Sequence, residues 1–268
     1  NLLAIRNIKR ENICDVGICE QNLIGVAAGI AKNNGQCYVH ALSNFLISRA
    51  YEFLKIDLDY NNCNCVLVGS MGGIQSTFNG PTHQAIDEMS ILENFLTFEI
   101  FFPLSIEEMV KTLENFKFKK NLYVRYNPEE SVKVFTNKKN ITNNFLQISG
   151  DCLIVSNGIL GNHVLGLIQN NKDLRKKFSF FNFSYLKKNG FQNIAKKIFK
   201  FKKILVIEDH LENGSIFSRL NQLILKNKLK NKLKGINLGK NYFHTDKNLN
   251  NIYNNLGISQ KKLMKIKL

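Results

Sequence analysis

Asp15-Val16-Gly17-Ile18-Cys19-Glu20-Gln21-Asn22-Leu23-Ile24-Gly25-Val26-Ala27-Ala28-Gly29-Ile30-Ala31 is the stretch on which the fold turns. Residues 13–16 are β-type and run into Gly17, which predicts a strand closed by a turn. A helix over about 20–32 follows, with a carboxylate, Glu20, at its head. Gly25, Ala28 and Gly29 are small enough to let another element approach the helix closely. Taken alone, Glu20 also reads as a first-turn acid that complements the helix dipole.

Working outward, β-type runs alternate with helical ones, the pattern of an α/β fold with a largely parallel sheet. Strands are predicted at 36–41, 65–69, near 98–102 and at 122–126. Helices are predicted over 44–60, near 85–93 and near 106–115, and a glycine-rich loop spans 69–82. Residues 127–149 break the rhythm with Pro128 and a loose Thr/Asn/Lys composition, which reads as an interdomain linker. A second alternation follows: strands at 152–156, 178–183, 204–208 and 235–238, and helices at 159–169, 191–199 and 215–225. The end, 248–268, reads as one or two helices. The prediction is two consecutive three-layer α/β domains with mostly parallel sheets, over 1–129 and 150–268, joined by a linker at 130–149. The chain starts at Asn1, and a strand–helix unit expected ahead of residue 13 is missing, so a fragment or processed chain is expected.

With 268 residues, 44 % hydrophobic and 22 % charged, the chain has the composition of a globular protein with room for two cores. No apolar run reaches the roughly 18–20 residues of a membrane span and no signal peptide is visible, so a cytoplasmic protein without a membrane partner is expected. The cysteines Cys14, Cys19, Cys37, Cys63, Cys65 and Cys152 make neither a C-x-x-C pair nor a zinc pattern, and no metal site is predicted in this chain. The net charge of +16 suggests anionic partners. Its lysines are spread through asparagine-rich stretches without interleaved aromatics, which argues against nucleic acid.

Two more segments stand at predicted strand ends. Ala41-Leu42-Ser43-Asn44-Phe45 puts an aromatic at a strand-to-helix junction, with Arg49 one turn on. Gly69-Ser70-Met71-Gly72-Gly73 runs to Asn79-Gly80-Pro81-Thr82-His83-Gln84, a loop that finishes in a proline turn presenting a histidine. Separately, Phe45 reads as core packing and His83 as a hydrogen-bonded turn residue. Together with Glu20 they lie at carboxyl ends of successive strands, where open α/β sheets bind ligands, and are expected to converge.

These residues resemble the pyrimidine-binding domain of transketolases and deoxyxylulose-phosphate synthases. The G-I-x-E-Q-type stretch holds Glu20, and Gly80-Pro81-Thr82-His83-Gln84 is especially similar to transketolase. Ile204-Leu205-Val206-Ile207-Glu208-Asp209-His210 with Gly214 looks like the signature of that family's C-terminal domain. The resemblance implies thiamine diphosphate as cofactor and transfer of a two-carbon ketol unit from a ketose to an aldose. It gives Glu20 the pyrimidine-activating role, Phe45 a stacking role and His83 a place facing substrate oxygens. Arg49 is a candidate for the cofactor; Asn79 and Arg125 are candidates for the sugar substrate.

Asn79 stands where the family usually has aspartate, and Asn127-Pro128-Glu129-Glu130 just beyond Tyr126 has no arginine where the family carries one, which loosens the tie to ordinary sugar phosphates. The diphosphate- and magnesium-binding G-D-G is absent: Gly150-Asp151-Cys152 lacks the second glycine. The expectation is therefore a split enzyme, active only with an N-terminal-half transketolase subunit that holds magnesium, as a heterodimer or heterotetramer. Three rivals remain: a 2-oxo-acid dehydrogenase beta subunit, a deoxyxylulose-phosphate-synthase-like enzyme and a non-catalytic assembly subunit.

Overall fold

The computed structural model describes residues 9–127, 141–186, 190–240, 242 and 248–267. Ten strands are found among them: β1 (Cys37–Leu42), β2 (Cys65–Ser70), β3 (Phe98–Phe101), β4 (Asn121–Tyr126), β5 (Asn144–Gln147), β6 (Cys152–Ser156), β7 (Phe178–Asn182), β8 (Tyr185–Leu186), β9 (Lys203–Ile207) and β10 (Lys232–Ile236). They form two five-stranded sheets, in the orders β1-β2-β4-β3-β8 and β10-β9-β6-β7-β5. All neighbours are parallel except β8 against β3 and β5 against β7. Strands covered by helices on both faces read as unbroken apolar runs. Leu122, Tyr123 and Val124 are fully buried in β4, as are Leu153, Ile154 and Val155 in β6.

The two halves share more than a hinge. β8 comes from the second half of the chain yet lies in the first sheet, pairing Ile100 with Leu186 and Phe101 with Tyr185. The Phe102 N–H donates to the Ser184 carbonyl at 2.8 Å, and the Gly158 N–H donates to the Phe102 carbonyl at 3.1 Å. Glu108, buried, accepts from Ser184 Oγ (2.5 Å), Asn182 Nδ2 (3.0 Å) and Thr142 Oγ1 (2.8 Å), and its other oxygen accepts from the Leu104 N–H (2.7 Å). One apolar core contains Phe102 and Tyr123 together with Phe181 and Phe183.

Three expectations need correction. Residues 13–16 form no strand: Asp15 Oδ1 takes the Gly17 N–H at 2.9 Å, a side-chain turn that competes with strand pairing, and Ile18 is 94 % exposed. The predicted linker holds β5, an edge strand fixed where Phe145 meets the Phe181 ring edge-on at 4.9 Å. Residues 128–140 of that linker lie outside the described residues. The helix expected over 44–60 is not regular: π-helical turns Phe45–Arg49 and Leu54–Tyr60 flank an α-helical turn Tyr51–Phe53. Among the described residues no helix is long and apolar enough to cross a membrane.

Candidate active site

At the carboxyl ends of β1 and β2, four side chains form one chain of contacts. Glu20 is the first residue of the helix Glu20–Lys32 and is only 5 % exposed. Its Oε2 accepts from Arg49 Nη1 at 2.8 Å. The Arg49 guanidinium carbon in turn lies 4.4 Å from the centroid of the Phe45 ring. The Phe45 ring meets the His83 ring edge-on, at 5.0 Å and 70°. Local backbone explains the assembly. β1 ends at Leu42, and the chain enters a wide π-helical turn that holds both Phe45 and Arg49. Phe45 and Arg49 are four residues apart, a spacing that sets two side chains on one face of a helical turn, and π-helical turns recur at functional sites.

His83 ends the short helical turn Pro81–His83, entered through Gly80 at φ 79°, a conformation that favours glycine. Asn44 Nδ2 donates to the Thr82 carbonyl at 2.6 Å and so ties this turn to the start of the Phe45 helix. His83 Nδ1 lies 2.9 Å from Thr82 Oγ1, which fixes the ring's orientation. The base of the loop is closed by the Gly73 N–H donating to the Ala85 carbonyl at 2.7 Å. Asn79 lies on the exposed rim of the same loop.

Arg125 is placed differently. It is 3 % exposed, and its Nε donates to Glu88 Oε1 at 2.9 Å while Nη1 donates to Asp209 Oδ1 at 2.6 Å. Its guanidinium carbon sits 3.9 Å from the Phe102 ring centroid. The triad therefore joins β4, the helix Glu88–Leu92 and the end of β9, across both halves of the chain. Burial pushes the Glu88 carboxyl up to about 7, against the pull of Arg125, while Asp209 and Glu88 keep the guanidinium protonated despite its burial. Gly72 and Gly73 wrap directly over the triad; a Cβ on Gly73 would overlap the Asp209 carboxylate.

Two neighbours complete this buried polar seam. Glu208 accepts from the N–H groups of Ile216 (2.9 Å) and Phe217 (3.0 Å), at the start of the helix Ile216–Lys226, and burial raises it to about 7. His210 is 1 % exposed, has Nδ1 at 2.7 Å from the Leu211 carbonyl, and burial pushes it down to about 4. Sequence reasoning missed Glu88. The local signal was slight, a carboxylate beside Met89 on a short helix that also buries Leu92, and its partner Arg125 lies 37 residues away.

The Glu20 cluster suits a planar nitrogen heterocycle: it offers a poorly hydrated carboxylate beside an aromatic face, with an imidazole at the far edge. Among the described residues no three His, Cys, Asp or Glu side chains gather to hold a metal ion.

Residues 4–130 match the family described as transketolase, pyrimidine binding domain. The chain is similar to a subunit of the apulose-4-phosphate transketolase of Actinobacillus succinogenes, 38 % identical over 98 residues, which cover 37 % of this chain and 32 % of that protein. It is also similar to the 6-deoxy-6-sulfo-D-fructose transketolase subunit of Clostridium sp. strain MSTE9, 26 % identical over 170 residues, covering 60 % of this chain and 53 % of that one. The matches thus span about a third and about half of these relatives. Among solved structures, a split-gene transketolase described as an inactive beta4 tetramer superposes with TM-score 0.75 at 18 % identity, over 93 % of this chain and 80 % of that one.

Proposed function

We propose that this chain, whose residues 4–130 match the transketolase pyrimidine-binding domain, is the pyrimidine-activating subunit of a split, thiamine-diphosphate-dependent transketolase. The observation that carries the reading is the buried Glu20 carboxylate linked through Arg49 to Phe45 and His83 at the sheet's carboxyl edge. The relatives support it, and their names carry ketoses with an anionic end, a phosphate in one and a sulfo group in the other. We therefore take the donor class to be a ketose bearing a terminal anion and the acceptor to be an aldose.

When bound, thiamine diphosphate supplies the carbon nucleophile and electron sink for cleavage and transfer of a two-carbon ketol unit. This chain's residues do the rest of the work at the pyrimidine end. The Glu20 carboxylate holds a proton shared with the ring nitrogen, and poor hydration strengthens that hydrogen bond. Phe45 presents a face for the ring, and Arg49 stands beside both. His83, oriented by Thr82, exchanges hydrogen bonds with substrate oxygens, and Asn79 on the rim reaches a sugar hydroxyl. Arg125 acts at a remove, by holding the 69–84 loop against Asp209 and Glu88.

Diphosphate and magnesium are assigned to an N-terminal-half subunit, in a cytoplasmic heterodimer or heterotetramer. Purified with that partner, the pair is expected to transfer ketol units, and the chain alone is expected to be inactive. Glu20→Gln should lower turnover at least about 100-fold, the usual scale for a lost acid–base group. Turnover near wild type in that variant would remove the assignment.

A further inference from the structure

We infer that the Arg49 guanidinium is a place-holder, occupying the seat of the cofactor's aminopyrimidine ring until the ring displaces it. This rests on the function proposed above. The guanidinium is planar, presents N–H donors in its own plane and stacks on aromatic faces. An aminopyrimidine shares all three properties. Arg49 makes both matching contacts at once: an N–H hydrogen bond to Glu20 Oε2 at 2.8 Å and a cation–π contact that sets its guanidinium carbon over the Phe45 ring, 4.4 Å from the centroid. No other ion pair or side-chain hydrogen bond of Arg49 is found among the described residues.

The chemistry of the seat gives the arrangement a cause. A carboxylate as buried as Glu20 is costly to leave without a cation or donor. Phe45 and Arg49 lie at i and i+4 of one helical turn and so share a face, which lets an arginine from the seat's own wall serve. The Arg49 side chain is 42 % exposed while Glu20 is 7 % exposed, so the guanidinium has a solvated way out and the carboxylate does not. The incoming ring must then break a half-exposed ion pair and a cation–π contact. Together these are worth about 1 kcal/mol, a fold-change of about five in affinity.

The test uses the chain assembled with its N-terminal-half partner and titrates thiamine diphosphate by calorimetry. Arg49→Met keeps the side chain's apolar stem and removes its head. The variant is expected to bind the cofactor about five-fold more tightly than wild type, with unchanged circular dichroism. Arg49→Lys, which keeps the charge but not the planar face, should fall between the two. Equal or weaker binding by Arg49→Met, beside measurable binding by wild type, overturns the place-holder and leaves the proposed function standing. Absence of binding in wild type and variants alike overturns the proposed function itself.

Discussion

Arg125→Met separates a structural arginine from a substrate-binding one. In the fold the guanidinium is held by Glu88 at 2.9 Å and Asp209 at 2.6 Å, with all three side chains at most 3 % exposed. Removing one member of a buried ion pair costs about 3–5 kcal/mol, because the remaining charge stays buried. The cation–π contact with Phe102 adds about 1 kcal/mol. Part of this is recovered by protonation of Glu88, already raised to about 7 by burial. The net loss at pH 8 should be about 4 kcal/mol, or about 10 °C in Tm for a chain of this length. At pH 5.5 the deficit should shrink, since protonated Glu88 no longer needs the cation. Thermal unfolding followed by circular dichroism at both pH values, at one scan rate, measures this. A variant with wild-type Tm and only a raised KM for an anionic ketose would refute the structural reading and place Arg125 at the substrate.

The wild-type chain should itself be more stable at pH 6 than at pH 8. Glu88 and Glu208, raised from 4.5 to about 7, contribute fully below pH 4.5 and lose that contribution as pH rises through 7. His210, lowered from 6.5 to about 4, works in reverse, contributing above pH 6.5 and losing it as pH falls towards 4. Two groups outweigh one, so Tm should fall by roughly 3–6 °C from pH 6 to pH 8; a flat or rising melting curve would contradict it. Gly73→Ala should be severe, since Gly73 sits at φ 65° and a Cβ there overlaps Asp209. Loss of soluble protein or a Tm drop of about 6 °C or more is expected, and normal stability would mean the loop does not wrap the triad.

Much of the architecture was readable because buried parallel strands advertise themselves. Cys152–Ser156 was expected and found with the same bounds, as an apolar run with no polar alternation. The failures share a cause: they depend on partners rather than on local pattern. Residues 13–16 are apolar enough for a strand, but the Asp15 side chain commits the Gly17 N–H to a turn. Phe145 and Leu146 were hidden between asparagine and glutamine in an edge strand, and β8 is two residues long, below any periodicity. At the site, Phe45 just beyond β1 and His83 in the glycine-rich loop after β2 drew attention through the strands ahead of them, and Glu20 did so as the acid at a helix start, although the strand expected before it is not there. The Glu20–Arg49 contact spans 29 residues and the Arg125–Asp209 pair 84; neither leaves a local trace.

The strand β8 carries a consequence for synthesis. The first sheet's other strands are complete once Tyr126 has been made, but β8 is not translated until about 60 residues later. At about 5–20 residues per second, β3 waits some seconds on the ribosome with its outer edge unpaired. That edge is the apolar run Phe98, Ile100 and Phe101, the kind that recruits strands from other chains. A nascent chain stalled or cut between 126 and 185 is therefore the form most exposed to aggregation, and the cell would have to shield it until the second half arrives.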